Sequence, residues 1–398
     1  MVRAIWNRRS QARLLLFAWA LSLAAACAPP AAPAPTAAPP VPPPTVAAAE
    51  PTKPVPAPAA PAKVAAKPTT ASELAVYQGA DRQQVLEEGA RKESTMTWYT
   101  SLAGPIVDRL LDGYKQRYPF MNTEVFRGAQ NELLTKATQE AQAGQPSFDV
   151  LESQISAIKV LVEAKLVTPY YSPTLAMVPD SFKTTAGQNL VESATVRISY
   201  ISFGYNTTLV PASAVPKALE DLLSPSLAGK LALTGTDTGK RWLGTVLQTM
   251  GEEKGKRFLT QLAEQQKPSV QQVSGKAVLD LIAKGEFPAS PTIFRDHVDQ
   301  MLVDSPDAPV KWVALEPATG NPGQGAFAAK GPHPHAGLLY LDFLFSEDGQ
   351  KIFHDNGYTT ASEPVPFKFW IPEAGKMGEQ IEQDVKLWDN LFKAIFRV

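Results

Sequence analysis

Between residues 81 and 164 apolar positions alternate between helical and strand spacing. Residues 81–92 read as a helix, and 95–100 (Thr-Met-Thr-Trp-Tyr-Thr) as a strand of β-branched and aromatic residues. In 104–117 Ile106, Val107, Leu110, Leu111 and Tyr114 recur on one helical face, and Tyr118-Pro119 stops the pattern. Residues 122–126 read as a second strand, 131–142 as a helix capped by Asn131, 148–151 as a third strand and 156–164 as a helix. Strands and helices taking turns predict an α/β fold with a largely parallel sheet.

A long β-rich run, 195–206, interrupts the alternation. After it a second α/β unit is expected, with a strand at 231–234, helices at 239–250, 252–263 and 278–284, and β character returning at 311–315. Two such strands around an inserted unit predict a two-strand hinge. Helices at 338–345, 347–354 and 381–396 are expected to complete the first lobe. The expected division is lobe 1 over 72–198 plus 316–398, and hinge strands with lobe 2 over 199–315. A stretch of that length exceeds a comfortable single core.

The first 71 residues follow other rules. Arg3, Arg8, Arg9 and Arg13 precede an apolar run at 14–26, shorter than the ~20 residues that span a membrane. This pattern predicts a signal peptide over 1–26. Cys27, the single cysteine, excludes an intrachain disulfide and a multi-cysteine metal site. Leu23-Ala24-Ala25-Ala26-Cys27 resembles a lipobox, with Ala24 where Leu is usual, so Cys27 is the expected lipidation and membrane-anchor site. The Ala/Pro-rich stretch that follows, within 27–71, reads as an extended spacer.

Net charge of −1 without a basic stripe argues against nucleic acid as a partner. The chain has no G-x-S-x-G elbow, no H-E-x-x-H and no phosphate loop, so neither a hydrolase nor an ATPase motor is indicated. No cofactor is expected.

Several segments, in order, carry a family likeness: 96–101, Tyr118-Pro119, 147–150, 204–207, Asp221-Leu222-Leu223 with Gly229-Lys230, 285–288, 308–313, His333-Pro334-His335-Ala336 and 345–350. Together they resemble ferric-binding-like extracellular solute-binding proteins of ABC importers. The resemblance implies a periplasmic-binding-protein clamp of the two-crossing type, a monomer that hands a small-molecule or ion ligand to a membrane permease. A sensory ligand-binding receptor would share these features; a surface hydrolase is the more distant alternative.

In such a clamp the strand-to-helix loops face the cleft. The candidate ligand residues are therefore Thr100, Ser101 and Leu102, then Gln130, then Ser153 and Gln154 in the first lobe. Thr236, Asp237, Thr238, Ser290 and Thr292 are their counterparts in the second, with Tyr200 and Ser202 on the crossing strand. Arg241 and Arg295 are the candidates for pairing an anion. Ferric-binding relatives use tyrosines, often an adjacent pair in the second lobe. Here the adjacent pair, Tyr170-Tyr171, falls in the first lobe and reads as a surface turn, while 294–297 (Phe-Arg-Asp-His) contains no tyrosine. A small anion or metabolite is expected rather than ferric ion. His297 with Asp296 and Asp299 reads as the solvated face of a helix, and His333-Pro334-His335 as a turn into one.

Overall fold

The computed structural model describes residues 67–376 and 378–398. The expected signal peptide, Cys27 and most of the spacer lie outside the described residues. Among these no helix is long and apolar enough to cross a membrane.

The chain begins with α1 (Ala71–Ala75), closed by a Thr70/Glu73 capping box, and α2 (Arg82–Glu93), which ends at Ser94 in the left-handed region. Then β1 (Thr95–Thr100), α3 (Gly104–Arg117), β2 (Asn122–Arg127), α4 (Gln130–Gln142), β3 (Val150–Gln154) and α5 (Ile155–Glu163) alternate as expected. The short β4 (Val167–Thr168) and β5 (Lys183–Gly187) lead to the 17-residue β6 (Leu190–Asn206). A second series holds β7 (Ala232–Thr234), α6 (Asp237–Met250), α7 (Glu252–Gln261), β8 (Ser269–Gln271), α8 (Gly275–Ala283), β9 (Ala289–Phe294), α9 (Arg295–Asp304) and β10 (Val310–Val313). The chain returns through β11 (Ala318–Ala328), α10 (Pro334–Leu344), α11 (Glu347–Asp355), β12 (Phe369–Trp370) and α12 (Gly378–Phe396).

β3, β1 and β2 are parallel neighbours, and β11 lies antiparallel between β3 and β6. The far half of β6 pairs with β9 and β10. β6 and β11 thus run side by side through two α/β halves. Each half has its own buried apolar clusters: Trp98, Leu110, Tyr114, Tyr340 and Phe343 dominate one, and Trp242, Leu243, Phe258 and Leu262 another. Burial of that apolar surface is the main favourable term for each half.

Four local expectations need correction. The return crossing is β11, not the β character at 311–315; that segment is β10, which pairs with Phe203–Asn206 inside the second half. Asn131 does not cap α4: the helix begins one residue earlier, and Glu132 accepts the Ala129 N–H at 2.7 Å. Tyr170 is no surface residue. It is fully buried, its backbone bridges Val191, and its hydroxyl donates to Gly325 O at 3.3 Å. Finally, α12 does not simply complete the first half. Its Trp388 and Phe392 pack in the cluster of Trp242, because Gly244 and Gly239 on α6 leave room for their rings.

Candidate ligand cleft

A row of polar side chains crosses the sheet where the two halves meet. Thr100 on β1 stands opposite Glu152 on β3, and its hydroxyl donates to Glu152 Oε2 at 2.7 Å. The Ser101 N–H, 3.2 Å from the same oxygen, and the Ser101 hydroxyl also donate to it. Glu152 Oε1 pairs with Arg197 on β6 at 3.0 Å, both side chains buried. Between them runs β11, and the ion pair passes over Gly323. A Cβ there would collide with Glu152 Oε1 and lie 2.6 Å from Arg197 Nε. Arg197 also donates to Ser199 Oγ at 3.1 Å. Burial opposes the Arg197 charge, but the acidic groups around it, Glu152 foremost with Tyr358 and Asp296, together leave the pKa above the ordinary value.

The row ends at Asp296, in the first turn of α9. Asp296 is 2% exposed, and neither carboxylate oxygen has a hydrogen-bond donor. The Ser199 hydroxyl lies near enough to favour the charged form of Asp296. Burial pushes the Asp296 pKa up, against the opposing pull of His297 and Arg197. Burial likewise pushes His297 down, toward the neutral imidazole, and its Nδ1 is unpartnered. The solvated-face expectation for this part of α9 therefore fails. Helical spacing could not show that its first turn abuts the Gly357 loop, where a Cβ would touch Asp299 and the Asp296 carbonyl.

Beside the row lies a cavity of about 440 Å³, where α4, α5 and α6 begin. Gln130, Gln154, Ser156, Asp237, Lys240 and Arg241 line it, and Gly378, Ile381, Val385 and Trp388 cover one side. Helix N-termini expose N–H groups that favour polar or anionic partners. Arg241 does not lie open. Its guanidinium forks onto Glu373, with one nitrogen 3.0 Å from Oε2, and donates to Gly320 O at 3.1 Å. Lys159 on α5 donates to the carbonyls of Glu373 and Lys376, and burial lowers its pKa. Residues 373–376 are thereby tied to both α5 and α6.

The structure brings together part of the expected set. Thr100 and Ser101 hold Glu152, Gln130 and Gln154 line the cavity, and Asp237 lies at its α6 side. Thr236 is the N-cap residue of α6 without a side-chain cap bond, and Thr238 follows in the first turn. Ser153 is buried with an unpartnered Oγ, but by strand alternation it faces away from Glu152 and Gln154. The others are taken up by the scaffold. Leu102 packs in the first core, and its N–H donates to Thr100 Oγ1. Tyr200 packs edge-on against Phe367 and Phe369. Ser202 donates to Ile293 O, Ser290 and Thr292 hydrogen bond each other, and Thr292 Oγ1 accepts the Thr234 N–H. Arg295 turns to Asp299 and Thr359. The sequence reading named Glu152 with Ser153 and Gln154 at the third strand-to-helix loop, but missed Arg197 and Asp296. A charged residue inside a β-rich run, Arg197 in 195–206, was the available signal for one of them.

The family model for bacterial extracellular solute-binding proteins matches residues 146–377. No match was found among curated proteins. Among solved structures, iron-bound HitA from Pseudomonas aeruginosa aligns with a TM-score of 0.60 at 18% identity, covering 76% of this chain and 99% of that one. AfuA from Actinobacillus pleuropneumoniae, bound to fructose-6-phosphate, aligns with a TM-score of 0.60 at 19% identity, covering 75% and 98%. The apo ferric ion-binding protein A of Pasteurella haemolytica gives 0.61 at 16%, covering 76% and 98%. These likenesses are of fold: a periplasmic-binding-protein clamp of two α/β halves joined by two strands. With more than half its length matched by the family model, the chain belongs to the bacterial extracellular solute-binding proteins, a family of extracytoplasmic receptors rather than enzymes.

Proposed function

We propose that this protein captures a small polar solute between its two halves and delivers it to the membrane permease of an ABC importer. The observation that carries the reading is the row from Thr100 through Glu152 and Arg197 to Asp296. It joins side chains of both halves in one buried polar surface that the packing alone does not satisfy. A ligand that contacts both halves stabilises the closed arrangement over an open one, and only that difference shifts the population. The lobe limits we propose are 72–198 with the chain from 316, and 199–315. The contact residues are Thr100, Ser101, Gln130, Gln154, Thr236, Asp237 and Thr238. A small anion or polar metabolite fits the donor set better than ferric ion: Tyr170 is fully buried in the first core, and no tyrosine is among the residues that line the cavity. We further propose that the protein acts as a monomer and that Cys27 carries the lipid that anchors it.

A thermal-shift screen of the purified protein against ferric salts, phosphosugars, carboxylates, phosphonates, amines and sugars tests the reading. A ligand at 100 times its Kd adds about 2.7 kcal/mol. A shift from one soluble class, lost when Gln154 and Asp237 are replaced together, supports it. A shift from ferric ion alone overturns the ligand class, and no shift from any class removes the support for solute capture. Loss of membrane fractionation in Cys27→Ala tests the anchor.

A further inference from the structure

α12 is held to the two halves in different ways. On the α6 side the hold is apolar and buried. Trp388 and Phe392 sit in the cluster of Trp242 and Phe258, with room left for their rings by Gly244 and Gly239. Lys240 on α6 pairs with Asp389 at 2.8 Å, and ahead of the helix Glu373 takes the buried fork of Arg241. On the α5 side the hold is polar. The apolar residues Ile158 and Leu161 of α5 pack in a cluster with Tyr99 and Leu151 that, among the described residues, contains none of α12. Val160 on α5 and Val385 on α12 both line the cavity yet stay 44% and 39% exposed, so the seam between the helices buries neither. Two side chains of α5 span it. Lys159 Nζ donates to the carbonyls of Glu373 and Lys376, and Glu163 Oε1 accepts the Gly378 N–H at 3.2 Å.

Buried apolar contacts survive a rigid-body motion, whereas half-exposed hydrogen bonds exchange for water at little cost. When the halves part, α12 stays with the second half and the α5 seam opens. That seam is one wall of the cavity, because Ser156, Val160 and Glu163 line it from α5 and Gly378, Ile381 and Val385 from α12. The halves also meet where Arg109 on α3 pairs with Asp304 on α9 at 3.5 Å, but both side chains are exposed and neither residue lines the cavity.

Resting on the solute-receptor reading, we propose that Lys159 and Glu163 form a latch that holds the two halves closed over the cavity, and that its release opens the cavity to solute. α12 then moves with the second half, so the first-half limit proposed for the chain from 316 ends before it.

The test needs no solute. In the full chain carrying Cys27→Ser, Ser156→Cys places one thiol in the cavity, and Gln139→Cys places one on the exposed face of α4 as the outside control. Maleimide modification rates are compared with and without the pair Lys159→Met and Glu163→Ala. The pair should raise the rate at the cavity thiol by about fivefold or more, in step with the open fraction, and leave the control unchanged. Lys159→Arg, which keeps a cationic donor, should react like the unlatched-free parent. Spin labels on Gln139→Cys in the first half and Glu253→Cys in the second should show an added longer distance in the pair variant. The proposal is overturned if the cavity thiol reacts no faster, if Lys159→Arg behaves like the pair variant, or if the label distances do not change. Both thiols speeding up together also overturns it, since a loosened fold and not a gate then sets the rate. Failure of the latch leaves solute capture standing, because no solute enters the test; failure of every ligand class in the wider screen removes solute capture while the seam's opening remains measurable.

Discussion

The two strands that join the halves lie against each other, yet they are built from opposite kinds of residue. β6 is Leu-Val-Glu-Ser-Ala-Thr-Val-Arg-Ile-Ser-Tyr-Ile-Ser-Phe-Gly-Tyr-Asn, rich in β-branched and aromatic side chains. β11 is Ala-Thr-Gly-Asn-Pro-Gly-Gln-Gly-Ala-Phe-Ala, a composition that normally marks a turn, and it is buried along its whole length. In β6, preference and burial agree. In β11, what the site needs is the absence of side chains. Gly323 lets Glu152 reach Arg197, Gly320 receives Ile371, and Gly325 lies under Leu341 and Val196. A glycine-rich strand is weak by itself, but held between β3 and β6 it becomes the low floor over which charged groups meet.

The largest way to break this arrangement is to remove one charge from the pair. Arg197→Met leaves Glu152 buried and unpaired, and should destabilise the protein by about 3–5 kcal/mol. The double variant with Glu152→Gln should recover much of that loss. Urea unfolding of both reads the difference; a single-variant loss under about 1 kcal/mol would show that the pair is not what holds the row. Next comes Gly323→Ala, which adds only a methyl group to a strand whose propensity it ought to improve. Because that methyl meets Glu152 and Arg197, we expect a loss of about 1–3 kcal/mol. Gly325→Ala, with its nearest neighbour at 3.2 Å, should lose less. Equal effects would mean that backbone freedom, not space beneath the ion pair, selects glycine.

This contrast explains what could be read in the sequence. The β1 to α5 alternation and β6 were legible because periodicity there coincides with burial. β11 was not, since Gly-Asn-Pro-Gly has no strand period and earns its place through neighbours distant in the chain. The same holds for the site. Thr100, Ser101 and Gln154 follow from the rule that strand ends face the cleft. Asp296 does not, because its burial depends on the Gly357 loop some sixty residues away. The pair Tyr170-Tyr171 reads as a surface turn because nothing near it in the chain shows what covers it, but the Tyr170 ring packs toward Phe327. For α12, the amphipathic pattern showed an apolar face without saying which half would cover it.

A smaller effect separates the strand's end of the row from its centre. Asp296 has its folded pKa above the unfolded value of 3.8 because of burial. The folded state then holds the proton more tightly, so this group's contribution is full below pH 3.8 and is lost as pH rises through the folded value. The slope is at most about 1.4 kcal/mol per pH unit for one proton. Comparing wild type with Asp296→Asn across pH 3–7 isolates it: the difference should grow in favour of the variant as pH rises. A constant difference would show that Asp296 titrates alike in both states.

The smallest expected effect is at Pro322, the residue that looks least compatible with a central strand. It stands opposite Ile198, whose N–H goes to Thr359 O at 2.7 Å instead of to β11. In an antiparallel ladder such a pair exchanges no hydrogen bonds, so the nitrogen of residue 322 faces the β3 side. There the pairing begins only at Gly323 with Gln154. An N–H at position 322 would therefore find no ladder acceptor on β3, and the missing donor costs β11 nothing. Pro322→Ala should lower stability by only about 0.4–1 kcal/mol, through the freer unfolded chain. A gain in stability would mean that the added N–H finds an acceptor at the start of α5. A loss above about 2 kcal/mol would mean that the proline itself shapes the crossing, and the contrast between the strands would then lie in backbone restraint as much as in side-chain size.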